Sequence, residues 1–297
     1  MRIGVTLPLA DGDTADGRAP TFDETTTFAR YAESAGLDSI WVFDHLLFRV
    51  PGESEEGVRE AWTTLAALAP LVPRVELGSL VMCSSFRNPA LMAKMAATLD
   101  DLSGGRVILG LGSGWHDPEY EAFGYPTDHK VGRFAEDLEI TARLLRGERV
   151  TQHGQWRDVA DAALLPPPAR RVPILVASKG ERMLSLTATW ADAWNTAWFG
   201  RVDDRLTTRL AGLDAACEAV GRDPATLRRT IGIQLRDPGT GTESALSLDA
   251  DAAGLADFLD EVAGLGIDDA LVWSMSKSVD ALERIAEART VHLARTS

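Results

Sequence analysis

Apolar runs of six to eight residues alternate along this chain with segments whose apolar positions recur every three or four residues, and the alternation repeats eight times. The strand-like runs are RIGVTLP (2–8), SIWVFDH (39–45), VELGSLVM (75–82), RVILGLG (106–112), PILVAS (173–178), DAWNTA (192–197), TIGIQL (230–235) and ALVWSM (270–275). They lack the period-two alternation of a sheet with one wet face, which fits strands buried on both sides in a parallel sheet. Helix signals lie between them. Thr21 and Glu24 have capping-box spacing, with Gly36 at the far end. Trp62, Leu65, Leu68 and Val72 make a stripe that Pro73 stops. Asn88 followed by Pro89 opens a third helix, with a stripe of Leu91, Met95, Leu99 and Leu102. A fourth helix is expected over 132–146, and a fifth ends near Trp190. Leu206, Leu210, Leu213, Cys217 and Val220 mark the sixth, closed by Gly221. Leu255, Phe258, Leu259 and Val262, then Val279, Leu282 and Ile285, mark the last two.

Eight strand-helix units in succession imply an α/β fold closed on itself, a (β/α)8 TIM barrel, for which about 250 residues is typical. The chain has 297 residues. The surplus has a location, because residues 147–172 join the fourth helix to the fifth strand. There RVTQHGQWRDV reads as a hairpin turning at Gly154, and three consecutive prolines read as a stiff linker. No internal boundary or solenoid period is evident, so residues 1–297 read as one domain.

Composition narrows the function classes. Acids outnumber Lys and Arg 44 to 30, a net charge of −14, and such a surface repels nucleic acid and anionic membrane. Cys83 and Cys217 stand far apart without a C-x-x-C or a histidine cluster, so neither a metal site nor a disulfide framework is expected. No apolar run approaches the 18 or so residues of a membrane span, and the N-terminus turns polar too early for a secretion signal. A soluble cytoplasmic protein is expected.

Chemistry in such barrels sits at the C-terminal ends of the strands. That rule gathers Leu7 and Pro8, Asp44 and His45, Met82 to Ser84, Ser113 to Trp115, Ser178 to Gly180, Asn195 and Thr196, Gln234, and Trp273 and Ser274 at one rim. The set holds one Asp-His pair among aromatic and small residues, and no Ser-His-Asp set, carboxylate pair or three-ligand metal group. It suits a flat organic cofactor that carries the chemistry itself. LGLGSGW (109–115) is not a nicotinamide fingerprint, since its glycines run G-x-G-x-G rather than G-x-G-x-x-G. Glycines there let backbone approach a planar ring. Ser178-Lys179-Gly180, preceding a helix, offers backbone N–H groups and a hydroxyl to a phosphate. Loops 46–60, 116–131 and 236–248 are expected to shape the substrate pocket. Arg87 and Arg133 read as ordinary surface charges.

At these residues the chain resembles a known family. WVFDH, FRNPALMAKMAATLDDLSGGRVILGLGSGW and ILVASKGERMLSLTATWADAWN are similar to the bacterial luciferase-like monooxygenase superfamily, in the branch that uses the deazaflavin coenzyme F420. The likeness is dense over residues 1–200 and loose beyond. It implies that Asp44 and His45 face the reactive ring, with His45 exchanging a proton and Asp44 or nearby backbone orienting it. It implies that the bulge at Val81, Met82 and Cys83 backs the ring, often through a non-prolyl cis peptide. Ser113, Gly114 and Trp115 fall on the cofactor loop, and Ala177, Ser178, Lys179, Gly180 and Glu181 on the segment holding the phosphate-bearing tail. Trp115 stands where the branch's sugar-phosphate dehydrogenases carry a proton-transferring Glu, which points away from that activity and toward an apolar substrate face. The implied reaction is F420-dependent hydride transfer to or from a small organic substrate, with a homodimer common among relatives. Two alternatives stand beside it: a monooxygenase using reduced FMN and oxygen, and a non-catalytic cofactor-binding protein on the same barrel.

Overall fold

The computed structural model describes residues 1–240 and 244–296; positions 241–243, within the 236–248 loop, lie outside the described residues. Eight parallel strands carry the fold: β1 (Arg2–Thr6), β2 (Ser39–Val42), β3 (Glu76–Ser79), β4 (Val107–Gly112), β5 (Ile174–Ala177), β6 (Ala193–Phe199), β7 (Arg228–Arg236) and β8 (Asp269–Ser274). Each pairs with its neighbours in sequence. β8 returns to β1 in register from Arg2 opposite Asp269 to Val5 opposite Val272, so the sheet closes into the expected barrel.

The helices are α1 (Phe22–Ser34), α2 (Ala61–Leu68), α3 (Pro89–Ser103), α4 (Asp117–Phe123), α5 (Lys130–Leu145), α6 (Glu181–Trp190), α7 (Asp204–Ala219), α8 (Ala252–Gly264) and α9 (Val279–Thr296). The caps follow the chemistry of the sequence. Thr21 and Glu24 form both halves of the capping box of α1, and Asn88 accepts from Ala90 and Leu91 at the start of α3. The stripe expected on α3 holds in part, at buried Leu99 and at Met95, which packs half-buried on the core. Leu91 and Leu102 stand 53% and 69% exposed, while Met92, Ala93, Ala96 and Leu99 turn inward. Val220 and Val279, also assigned to buried stripes, lie exposed at helix ends.

The main hydrophobic core lies between the barrel and its helices. Inside the barrel, Trp41 packs with Ile108, Leu175 and Leu271, and its Nε1–H donates to Ser39 Oγ at 2.7 Å. A Cβ on Gly4 or Gly78 would collide with this indole. Glycine is required at both positions by the volume of one tryptophan.

The surplus between α5 and β5 forms an antiparallel hairpin of Val150–His153 and Asp158–Ala162. Two elements escaped periodicity because of their brevity. The seven-residue α4 and the two-residue pair of Leu47–Phe48 with Glu56–Gly57 occupy stretches read as loops.

Candidate active site

A cleft of about 680 Å³ opens at the C-terminal ends of the strands, within the size range of small-molecule sites. Among its walls are His45 and Asp44 after β2, Val81 and Cys83 after β3, Ser113, Gly114 and Trp115 after β4, and Ala177, Ser178, Lys179 and Gly180 at β5, with Trp273 from β8. Two residues assigned to the site lie elsewhere. Met82 is fully buried in the core, because in extended backbone it points away from the face that Val81 and Cys83 share. Glu181 is exposed on the first turn of α6, outside the lining.

The glycines of LGLGSGW have a different primary reason from close approach to a ring. A Cβ on Gly110 would overlap the Ser79 carbonyl, and one on Gly112 would press on Val81. Gly114, at φ +75°, has no room for a Cβ beside the Tyr120 hydroxyl. These glycines therefore press β4 and its loop against the tip of β3, where the Leu80–Val81 peptide is cis. The cleft wall formed there consists of Leu80, Val81 and Cys83 against Gly112 to Gly114.

His45 is oriented by a residue that escaped sequence reasoning. Its Nδ1 lies 2.9 Å from Glu119 Oε1, and Glu119 Oε2 accepts from the Leu46 N–H at 2.8 Å. Glu119 is 2% exposed. A carboxylate at Nδ1 favours the tautomer that leaves Nε2 unprotonated. The available signal was indirect: with Trp115 in place of the relatives' Glu, the next acid on the buried face of α4 is Glu119.

Asp44 does not orient His45. Its carboxylate accepts from the Cys83 N–H at 2.9 Å and from both terminal nitrogens of Arg87, at 2.6 and 3.1 Å. Burial pushes the Asp44 carboxyl up while the guanidinium beside it pulls down. Arg87, expected on the surface, is mostly buried and also bonds Glu60, the residue that caps α2 through the Trp62 and Thr63 N–H groups. Asp44 thus ties the tip of β3 to the start of α2. Cys83 contacts the Tyr120 hydroxyl, which donates to the Ser113 carbonyl at 3.0 Å, and burial pushes its thiol up to about 12.

The remaining walls are aromatic. Trp115, 69% exposed, meets the His45 ring edge-on at 5.5 Å. Phe43 and Trp198 flank Trp273 at 4.7 and 5.5 Å.

The residues fit a flat cofactor with a phosphate-bearing tail. Gly180 is the N-cap of α6 and supplies no side-chain cap, so the first-turn N–H groups remain available to an anion. A Cβ at Gly180 would meet nothing within 4 Å, so the space beside it is open. Ser178 contributes less than expected, since its hydroxyl is paired with Thr187 Oγ1 at 2.9 Å. Lys179 stands exposed at the mouth. Among the described residues no group of three or more His, Cys, Asp or Glu is arranged to hold a metal.

Comparison with known proteins agrees with this geometry. The chain is 33% identical over 249 residues to an F420-dependent glucose-6-phosphate dehydrogenase of Kineococcus radiotolerans, covering 81% of this chain and 72% of that one. It is 34% identical to an F420-dependent hydroxymycolic acid dehydrogenase of Mycobacterium tuberculosis, covering 69% and 56%. The chain thus spans little more than half the length of that second relative. An F420-dependent secondary alcohol dehydrogenase, solved with an F420-acetone adduct, superimposes with a TM-score of 0.81 at 18% identity over 98% of both chains. The luciferase-like monooxygenase family model matches residues 1–236, the stretch that holds His45 with Glu119, the glycines of β4 and the N-terminus of α6, and the chain belongs to that family.

Proposed function

We propose that this protein is a coenzyme F420-dependent oxidoreductase acting on a small, mainly apolar alcohol or carbonyl compound. The observation that carries the reading is His45, fixed by a buried carboxylate, in the same cleft as the wall of Val81 against Gly112 to Gly114 and an uncapped helix N-terminus. When bound, the deazaflavin supplies hydride transfer, chemistry that no side chain of the cleft offers. The α6 N-terminus and Lys179 bind the tail, and Val81 and Gly112 to Gly114 back the ring. His45 Nε2 takes the proton from a substrate hydroxyl, or returns it to a carbonyl oxygen, as a general base or acid. Glu119 holds the imidazole for that exchange. Phe43, Trp198 and Trp273 exclude water.

A phosphorylated sugar fits poorly, because the described lining holds one lysine and no arginine. The exposed Leu91 and Leu102 on α3 support a homodimer, which sedimentation tests. No described helix is long and apolar enough to cross a membrane, in keeping with a cytoplasmic enzyme. Titration with F420 and with FMN, followed by ring absorbance and fluorescence, tests the cofactor. Anaerobic turnover of secondary alcohols and ketones tests the reaction. F420 preference with oxygen-independent turnover is expected. FMN preference with oxygen consumption overturns the reading, as does tight cofactor binding without turnover across the panel.

A further inference from the structure

A second cavity, of about 570 Å³, opens on the same rim between the segment after β1 and the starts of α1 and α9. Its walls include Pro8, Pro20, Phe28, Met275 and Val279. One cation belongs to it. Lys277 lines the cavity, its Nζ donates to Thr6 Oγ1 at 3.0 Å, and it lies 4.6 Å from the centre of the Trp273 ring. An ammonium has three donors, so two find no protein acceptor among the described residues. Burial pushes this amine down to about 8, with the Asp13 carboxylate acting in the opposite direction. Three acids line the same cavity, Asp13, Asp23 and Glu24, and none is within hydrogen-bond distance of Lys277 among the described residues. Asp13 Oδ2 accepts from the Leu9 and Ala10 N–H groups at 2.7 and 2.8 Å. Glu24 is held by Arg18 and by the Thr21 cap. Asp23 stands exposed on the first turn of α1.

We propose that this cavity binds an organic monocarboxylate with an apolar body, its carboxylate taking the free donors of Lys277. One ammonium balances one negative charge, and a desolvated cation gains most from a partner that neutralises it. Asp13 and Asp23 in the lining, with Glu24 neutralised by Arg18, oppose any charge beyond the one Lys277 matches, which disfavours phosphate esters and dicarboxylates. The apolar walls accept the remainder of the molecule. Only thin partitions separate this cavity from the redox cleft: Trp273, which lines the cleft and carries Lys277 against its ring, and the contact of Gln234 Nε2 with Met275 Sδ at 3.0 Å. The site is independent of the cofactor assignment.

Calorimetric titration of the whole protein with octanoate and, separately, 1-octanol tests the site. Octanoate is expected to bind saturably and 1-octanol more weakly. Lys277→Met should weaken octanoate at least tenfold and leave 1-octanol unchanged. Thr27→Trp, at an exposed cavity-lining position, should weaken both by filling the space. Lys179→Met, in the redox cleft, should alter neither. Absence of octanoate binding to the unmodified protein overturns the proposal. So does equal affinity for acid and alcohol, or loss of octanoate binding in Lys179→Met rather than Lys277→Met. Thermal melts with and without octanoate on the same proteins show whether each variant is folded.

Discussion

Glu119→Gln is the sharpest probe of the cleft, because it removes a charge while keeping shape. In the native protein both carboxylate oxygens accept, one from the His45 ring and one from the Leu46 N–H. The glutamine amide offers one acceptor and one donor group. With its oxygen kept on Leu46, its NH₂ faces Nδ1, which must then accept, and the ring hydrogen moves to Nε2. With the amide reversed, two donors meet at Leu46. Either arrangement forfeits a charge-assisted hydrogen bond, worth about 1.5–3 kcal/mol. The larger effect falls on catalysis, since alcohol oxidation loses its base at Nε2. Turnover should drop roughly 10²- to 10⁴-fold, about 3–5 kcal/mol of barrier at roughly 1.4 kcal/mol per decade. KM should change little. Nitrogen-15 spectra of histidine-labelled protein, assigned by comparison with His45→Gln, report the tautomer directly and without any assumption about cofactor. The reasoning is refuted if the neutral native ring carries its hydrogen on Nε2, or if Glu119→Gln turns over within about threefold of the parent.

Further outcomes follow from the same contacts. Arg87→Met leaves the buried Asp44 carboxylate without its partner and should cost about 3–5 kcal/mol by urea denaturation, whereas Glu60→Gln, on the exposed side of the network, should cost far less. Gly78→Ala puts a methyl group into the Trp41 ring and should cost about 1–3 kcal/mol by overpacking, with near-ultraviolet dichroism reporting the displaced indole. The Cys83 thiol ionises at about 12 rather than 9.0. Between those values the unfolded chain releases its proton first, so this group makes stability fall as pH rises through that window and contributes nothing below it; Cys83→Ala should flatten the alkaline limb of a pH-stability curve. For the same reason iodoacetamide should leave Cys83 unmodified at pH 8 in folded protein, and rapid labelling there contradicts its buried placement.

The barrel was legible because parallel strands buried on both faces leave uninterrupted apolar runs, and eight such runs admit few arrangements. Capping chemistry fixed where α1 and α3 begin. The stripe on α3 was half right: Leu99 is buried as expected, whereas Leu91 and Leu102 face outward and Met92, Ala93 and Ala96 take the inner face. At the site, Asp44 and His45 were found as neighbours and given a joint task, yet adjacent side chains on extended backbone point apart. Each instead took a partner distant in sequence, Arg87 for one and Glu119 for the other. Those partners were invisible because α4 is too short to show a period, and because an arginine before a capped helix looks like any surface charge. Lys277 escaped likewise, its burial being created by segments more than 250 residues away.

The stretch where β4 presses on the tip of β3 bears on how such enzymes diversify. Gly110, Gly112 and Gly114 tolerate no added carbon, so close packing holds this side of the chamber to one shape. Changes of side chain that reshape the chamber therefore fall to the aromatic residues of its lining, Phe48, Trp115 and Trp273. One half of the chamber is conservative by construction, and descendants can acquire new substrates without relearning how to hold the redox partner.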